Sequence, residues 1–66
     1  MKNTIKVQRA ILNITQEELA QKIGVSRQTI NSIEKNRYVP STILALKIAR
    51  VFNTSIHEIF ELEEED

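Results

Sequence analysis

Sixty-six residues hold one domain and leave no room for a second. With no cysteine and a single His57, neither a disulfide nor a metal site can reinforce the core, and no cofactor is expected. One glycine, one proline and 41% apolar residues fit a compact helical chain. No apolar run nears the roughly 20 residues of a membrane span. A soluble, cytoplasmic protein with no membrane or small-molecule partner is therefore expected. The formal net charge is zero, yet five of the nine acids fall in the last six residues. Residues 1–60 thus carry nine bases against four acids, a net of +5, followed by an acidic tail over 61–66. The plainest reading of that tail is a solvated terminus; a second is a brake that competes with an anionic partner for the basic body.

Helix signals follow in chain order. Apolar spacing predicts α1 over about 5–12, with Asn13 as a left-handed stop. Thr15 with Glu18 forms a capping box for α2 (about 16–23), stapled by Ile14 against Leu19. Gly24 ends α2, and Ser26 caps α3 (about 27–34) with Val25 against Ile30. Pro40 separates α3 from α4 (about 42–52). Ser55 with Glu58 gives a further capping box for a short α5 (about 56–60).

Steps of three and four residues assign a core of Leu19, Ala20, Ile23, Ile30, Ile33, Leu44, Ile48, Val51 and Phe52. Ile5 and Leu12 share one face of α1, while Val7 and Ile11 fall on a roughly opposite face. A helix apolar on two sides needs two partners: the core, and either a terminal segment or a second subunit. Lys2–Thr4 and Glu61–Glu63 are candidates for a short two-stranded pairing of the chain ends over α1.

The three residues between α2 and α3 match the spacing of a helix-turn-helix, whose second helix enters the DNA major groove. The capped start at Thr15 offers unpaired N–H groups to a phosphate, and Gln16 can add a side-chain contact. Simple helix capping explains Thr15 equally well.

The runs Thr15-Gln16-Glu17-Glu18-Leu19-Ala20, Ile23 to Ile30 and Ile33-Glu34-Lys35 resemble the Cro/C1-type helix-turn-helix family of phage-repressor-like regulators. The likeness continues through Pro40-Ser41 and Leu44 to Ala49 and reaches Ile59-Phe60, covering nearly the whole chain. It resembles the small stand-alone members that lack a ligand-sensing domain. The resemblance implies an all-α, five-helix domain over residues 1–60 and DNA binding through α3. It also implies a homodimer acting as a transcriptional repressor on a palindromic operator.

Carried over by position, Arg27, Gln28 and Asn31 would read bases, with Ser32 at the margin. Their chemistry suits this: arginine grips guanine O6 and N7, and glutamine or asparagine grips adenine N6 and N7. A polar face is also what any surface helix shows. Thr15, Gln16 and Thr29 would meet phosphates, as would Lys35, Asn36, Arg37 and Tyr38 after α3; the bland reading of the last four is a hydrophilic turn. Arg9 and Glu34 correspond to an ion pair common in the family, with a structural role. Ile56, Ile59, Phe60 and Leu62 hold more apolar surface than so small a monomer easily hides, which suggests a dimer interface. His57 reads as exposed and without a role. No serine has a histidine base placed near it by any motif, so no enzyme is expected. The second functional class is an antitoxin-like or scaffold interaction module that keeps the fold but acts through its apolar end.

Overall fold

The computed structural model describes all 66 residues. In chain order it contains β1 (Lys2–Asn3), α1 (Ile5–Leu12), α2 (Gln16–Ile23), α3 (Arg27–Glu34), α4 (Thr42–Phe52), α5 (Ile56–Ile59) and β2 (Phe60–Glu61). The first four helices coincide with the expected ones. α5 ends a residue early because Phe60 turns extended, at φ −119° and ψ 136°, and enters β2. The two strands pair antiparallel, Lys2 opposite Glu61 and Asn3 opposite Phe60. The chain ends therefore do pair, with the second strand starting one residue before the expected position. Side-chain alternation explains that register: it turns Phe60 into the core and Glu61 to solvent.

The local chemistry explains why eight-residue helices form at all. The Thr15 hydroxyl accepts from the Glu18 N–H at 3.0 Å, and the Thr15 N–H donates to Glu18 Oε1 at 2.9 Å, completing the box. Ser26 Oγ accepts from the Thr29 N–H at 3.2 Å, and Ser41 Oγ from the Leu44 N–H at 3.1 Å. Asn13, Gly24 and Asn53 close α1, α2 and α4 in the left-handed conformation. The Ser55–Glu58 box does not form: Ser55 makes no side-chain cap, and the Glu58 N–H bonds the Ser55 carbonyl at 3.0 Å instead.

Thirteen side chains form the core, with Ile5, Leu19, Ile30, Ile33, Ile48 and Ile59 fully enclosed. Val51 packs against it only in part. Leu12 departs from its expected place and is 46% exposed. The stripe from Ile5 to Leu12 passes through Arg9, and α1 meets α3 there by the polar Arg9–Glu34 fork. Val7 and Ile11 are exposed. Ile59 and Phe60 were expected at a dimer interface, but the single chain already buries them at 1% and 9% exposure. Their burial follows from α5 and β2 folding back over α4 and β1. Only Ile56 and Leu62 of that set keep accessible surface.

Arg9 Nε donates to Glu34 Oε2 at 2.7 Å, Arg9 Nη2 to Glu34 Oε1 at 3.0 Å, and Arg9 Nη1 to the Ile14 carbonyl at 3.2 Å. The two side chains are 15% and 7% exposed. This two-bond fork fixes α3 against α1. The Glu34 hydrogen bond makes the Arg9 guanidinium still harder to deprotonate than usual.

Glu34→Ala strands the guanidinium in this half-buried site and should destabilise the protein by about 2–4 kcal/mol. Urea unfolding measures that cost directly, and the thermal midpoint should fall by roughly 10–20 °C. The Glu18 carboxyl is held below its ordinary value of 4.5, first by the Thr15 backbone N–H and then by the Thr15 side chain. A depressed carboxylate contributes stability that is complete above its unfolded value and is lost as pH falls through the folded one. Glu18→Gln should therefore lower the thermal midpoint at neutral pH, converge with the parent as pH falls well below 4.5, and so flatten the pH dependence.

Candidate nucleic-acid interface

α2 and α3 are joined by Gly24, Val25 and Ser26. Gly24 sits at φ 76°, and a Cβ there would meet nothing within 4 Å. Glycine is needed for the backbone angle, not for space. Val25 packs against the core, and Ile30 and Ile33 bury the inner face of α3. The outer face is then fixed by helical geometry.

Arg27 and Gln28 are exposed on that outer face; Asn31, Ser32 and Thr29 are half-buried beside them. Thr29 Oγ1 lies 3.0 Å from Ser26 Oγ, so its hydroxyl belongs to the cap. Gln16, at the start of α2, is the hub of the face. Its Oε1 accepts from Arg27 Nη1 at 3.3 Å, and its Nε2 donates to Asn31 Oδ1 at 3.3 Å and Glu34 Oε1 at 3.2 Å. Each bond is long and individually weak, but together they run from the Arg9–Glu34 fork to the tip of Arg27. The Thr15 oxygen accepts from the Glu18 N–H, and its side chain also holds the Glu18 carboxylate, so Thr15 serves the cap first.

Beyond α3 the chain closes in a Schellman turn. Asn36 is left-handed at φ 60°, its N–H bonds the Ile33 carbonyl at 3.0 Å, and the Arg37 N–H bonds the Ser32 carbonyl at 2.9 Å. Asn36 Oδ1 is occupied by Asn3 Nδ2 at 3.0 Å. Lys35, Arg37 and Tyr38 project into solvent.

Two polar grooves flank α3. One, of about 310 Å³, is lined by Gln28, Ser32 and Tyr38 with the Ser26–Thr29 cap. The other, of about 400 Å³ and without apolar lining, joins Lys6, Gln16, Asn31 and Lys35 to the Arg9–Glu34 fork and Asn3. The grooves thus gather Gln16, Gln28, Thr29, Asn31 and Ser32 with Lys35 and Tyr38, whereas Thr15, Arg27, Asn36 and Arg37 line neither. Lys6 and Asn3 are additions. Lys6 was legible, lying three residues before Arg9 on the same helix; Asn3 was not, because its partners lie 30 and 33 residues away.

The charges follow the same division. Arg9 is the only lysine or arginine in an ion pair, so Lys6, Arg27, Lys35 and Arg37 all keep their charge for a partner. The tail carboxylates Glu63 and Asp66 each lie 2.9 Å from the Met1 amino group. Hydrogen bonds from the Glu63 backbone and that amino group hold the Asp66 carboxyl below its ordinary value. No cluster of three metal-ligating side chains forms, and no helix is long and apolar enough to cross a membrane.

A helix-turn-helix family model matches residues 5–59. The chain is 54% identical over 66 residues to an uncharacterized HTH-type transcriptional regulator of Methanocaldococcus jannaschii, covering the whole of both chains. It is 48% identical to YgzD, an uncharacterized HTH-type transcriptional regulator of Bacillus subtilis, again over the full length of both. A further such regulator, of Archaeoglobus fulgidus, is 54% identical over all of this chain and 93% of its own length. With its turn geometry, its exposed α3 face and these relatives, the chain belongs to the Cro/C1-type helix-turn-helix family, a non-enzymatic class of DNA-binding transcriptional regulators.

Proposed function

We propose that the protein is a sequence-specific repressor that binds a palindromic operator as a homodimer and reads it through α3. The observation that carries this reading is the outer face of α3. Arg27 and Gln28 stand exposed there, and Arg27 is steadied from behind by Gln16. A steadied guanidinium loses less side-chain entropy on gripping guanine than a free one. Asn31 and Ser32 lie at the margin, where their half-burial limits them to the base pairs nearest the helix. Thr15, Lys35, Asn36, Arg37 and Tyr38 would position the protein on phosphates, with Lys6 joining them from α1. Thr29 and Gln16 act mainly through the cap and through Arg27, with phosphate contact secondary.

The dimer surface needs redrawing once Ile59 and Phe60 are in the core. Ile43 and Leu46 lie three residues apart on α4 and are 69% and 54% exposed. A groove that links Leu46 to Asn53 and Ser55 carries this face to the start of α5, beside half-buried Ile56. A two-fold contact along this seam buries more apolar surface than Ile56 and Leu62 offer alone. It would set two copies of α3 about 34 Å apart, in successive major grooves.

Selection from randomised duplex DNA at near-physiological salt should enrich a palindrome with half-sites one helical turn apart. On that operator Arg27→Ala should cost about 1–3 kcal/mol and relax specificity at one base pair per half-site. Arg37→Ala should weaken binding to operator and random DNA alike. Equal losses on both DNAs for Arg27→Ala would remove α3 as the reader. Sedimentation at micromolar concentration should show a dimer that Leu46→Glu converts to a monomer. A parent protein that stays monomeric on the operator would instead leave the seam for another protein, favouring the interaction-module reading.

A further inference from the structure

We infer that Asn3 is a positioning residue for DNA binding: it ties the paired chain ends to the end of α3 and so sets the loop Lys35–Tyr38. The inference rests on the proposed phosphate role of that loop. Asn3 lies in β1, opposite Phe60, and its half-buried side chain commits both amide protons and one oxygen lone pair to three partners. Nδ2 donates to the Ile33 carbonyl at 2.9 Å and to Asn36 Oδ1 at 3.0 Å, and Oδ1 accepts from the Ile5 N–H at 3.2 Å.

These partners divide into two groups. The bond to Ile5 is local, an Asx turn that starts α1. The other two cross to α3 and have no local purpose. The Ile33 carbonyl already accepts the Asn36 N–H, so Asn3 adds a second bond to the same turn, and Asn36 is the left-handed residue that turns the chain out of α3. A non-glycine residue in that conformation carries a steric cost, and the bond from Asn3 offsets part of it from outside. Asn36 in turn aims Arg37 and Tyr38. Lys35 shares a groove with Asn3. A phosphate contact is lost if its donor moves by little more than an ångström, so the terminal sheet reaches the DNA backbone through one amide.

The test uses the full chain and a random-sequence duplex of about 24 base pairs, long enough for two half-sites. Asn3→Ser keeps a neutral acceptor for the Ile5 N–H and loses both bonds to the α3 end. It should fold with nearly the parent's thermal midpoint, bind the duplex about 3–10-fold more weakly, and lower the slope of log affinity against log salt by about 1. Asn36→Gly tolerates φ 60° and removes the Asn3–Asn36 bond from its other end, leaving the bond to the Ile33 carbonyl. Asn3→Ser should then add less than about twofold in the Asn36→Gly background, a non-additivity expected of residues in one network. A lower thermal midpoint with unchanged affinity and salt slope would make Asn3 a purely structural residue and overturn the inference. So would additive losses in the double variant. Arg37→Ala on the same duplex separates the two levels. If it weakens binding while Asn3→Ser does not, the positioning role alone is wrong. If neither variant changes binding, the phosphate loop is wrong and the positioning role falls with it.

Discussion

The orientation of α3 depends on one interaction, the two-bond fork between Arg9 and Glu34. Burying most of a guanidinium and a carboxylate is expensive, and such a pair contributes little net stability compared with apolar residues of the same volume. What it supplies is direction. An apolar contact between α1 and α3 would tolerate sliding or rotation; two parallel N–H···O bonds at 2.7 and 3.0 Å do not. Glu34 Oε1 also accepts from Gln16, and Gln16 accepts from Arg27. The angle at which Arg27 leaves the surface is thus inherited from a pair with no need to touch DNA itself.

This arrangement answers a problem of size. An eight-residue helix does not persist in water by itself, and α3 holds only two buried residues, Ile30 and Ile33. Its stability is borrowed from α2 and α4 through the common core and from polar closures at both ends. Ser26 closes the start, and the Schellman turn at Asn36 closes the finish. Closed at both ends, α3 has less freedom to fray than an uncapped helix, so under the proposed function less ordering entropy would be lost on entering a groove.

Most of the helical framework was legible because its signals are local. Capping boxes, left-handed Asn and Gly stops, and three- and four-residue apolar steps act within a turn or two of chain. The failures are of two kinds. Ser55 with Glu58 has the right letters, but the Glu58 N–H bonds the Ser55 carbonyl and the box does not form. Leu12 has the right phase, but the charged Arg9 occupies the middle of its stripe and holds α1 by other means. The exposed α3 face was legible from the same periodicity that buried Ile30 and Ile33. Its wiring was not: that Gln16 steadies Arg27, or that Asn3 grips Asn36, depends on contacts between distant segments that no spacing encodes. The same reason hid the interior places of Ile59 and Phe60, which follow from α5 and β2 folding back over α4 and β1.

The formal charge of zero conceals an arrangement suited to a polyanion. The acids that balance the bases are gathered at the C-terminal end, and two of them, Glu63 and Asp66, are held against the Met1 amino group. Lys6, Arg27, Lys35 and Arg37 have no such partners. Separation along the chain is not distance in space: Lys2 pairs with Glu61, and Asn3 beside it reaches Asn36 at the end of α3. At about 0.1 M salt a charge acts over only about 10 Å, short beside a longest extent of 31 Å. The free cations therefore act locally, and holding Glu63 and Asp66 on the Met1 amino group reduces the competition of those two carboxylates with a polyanion for them.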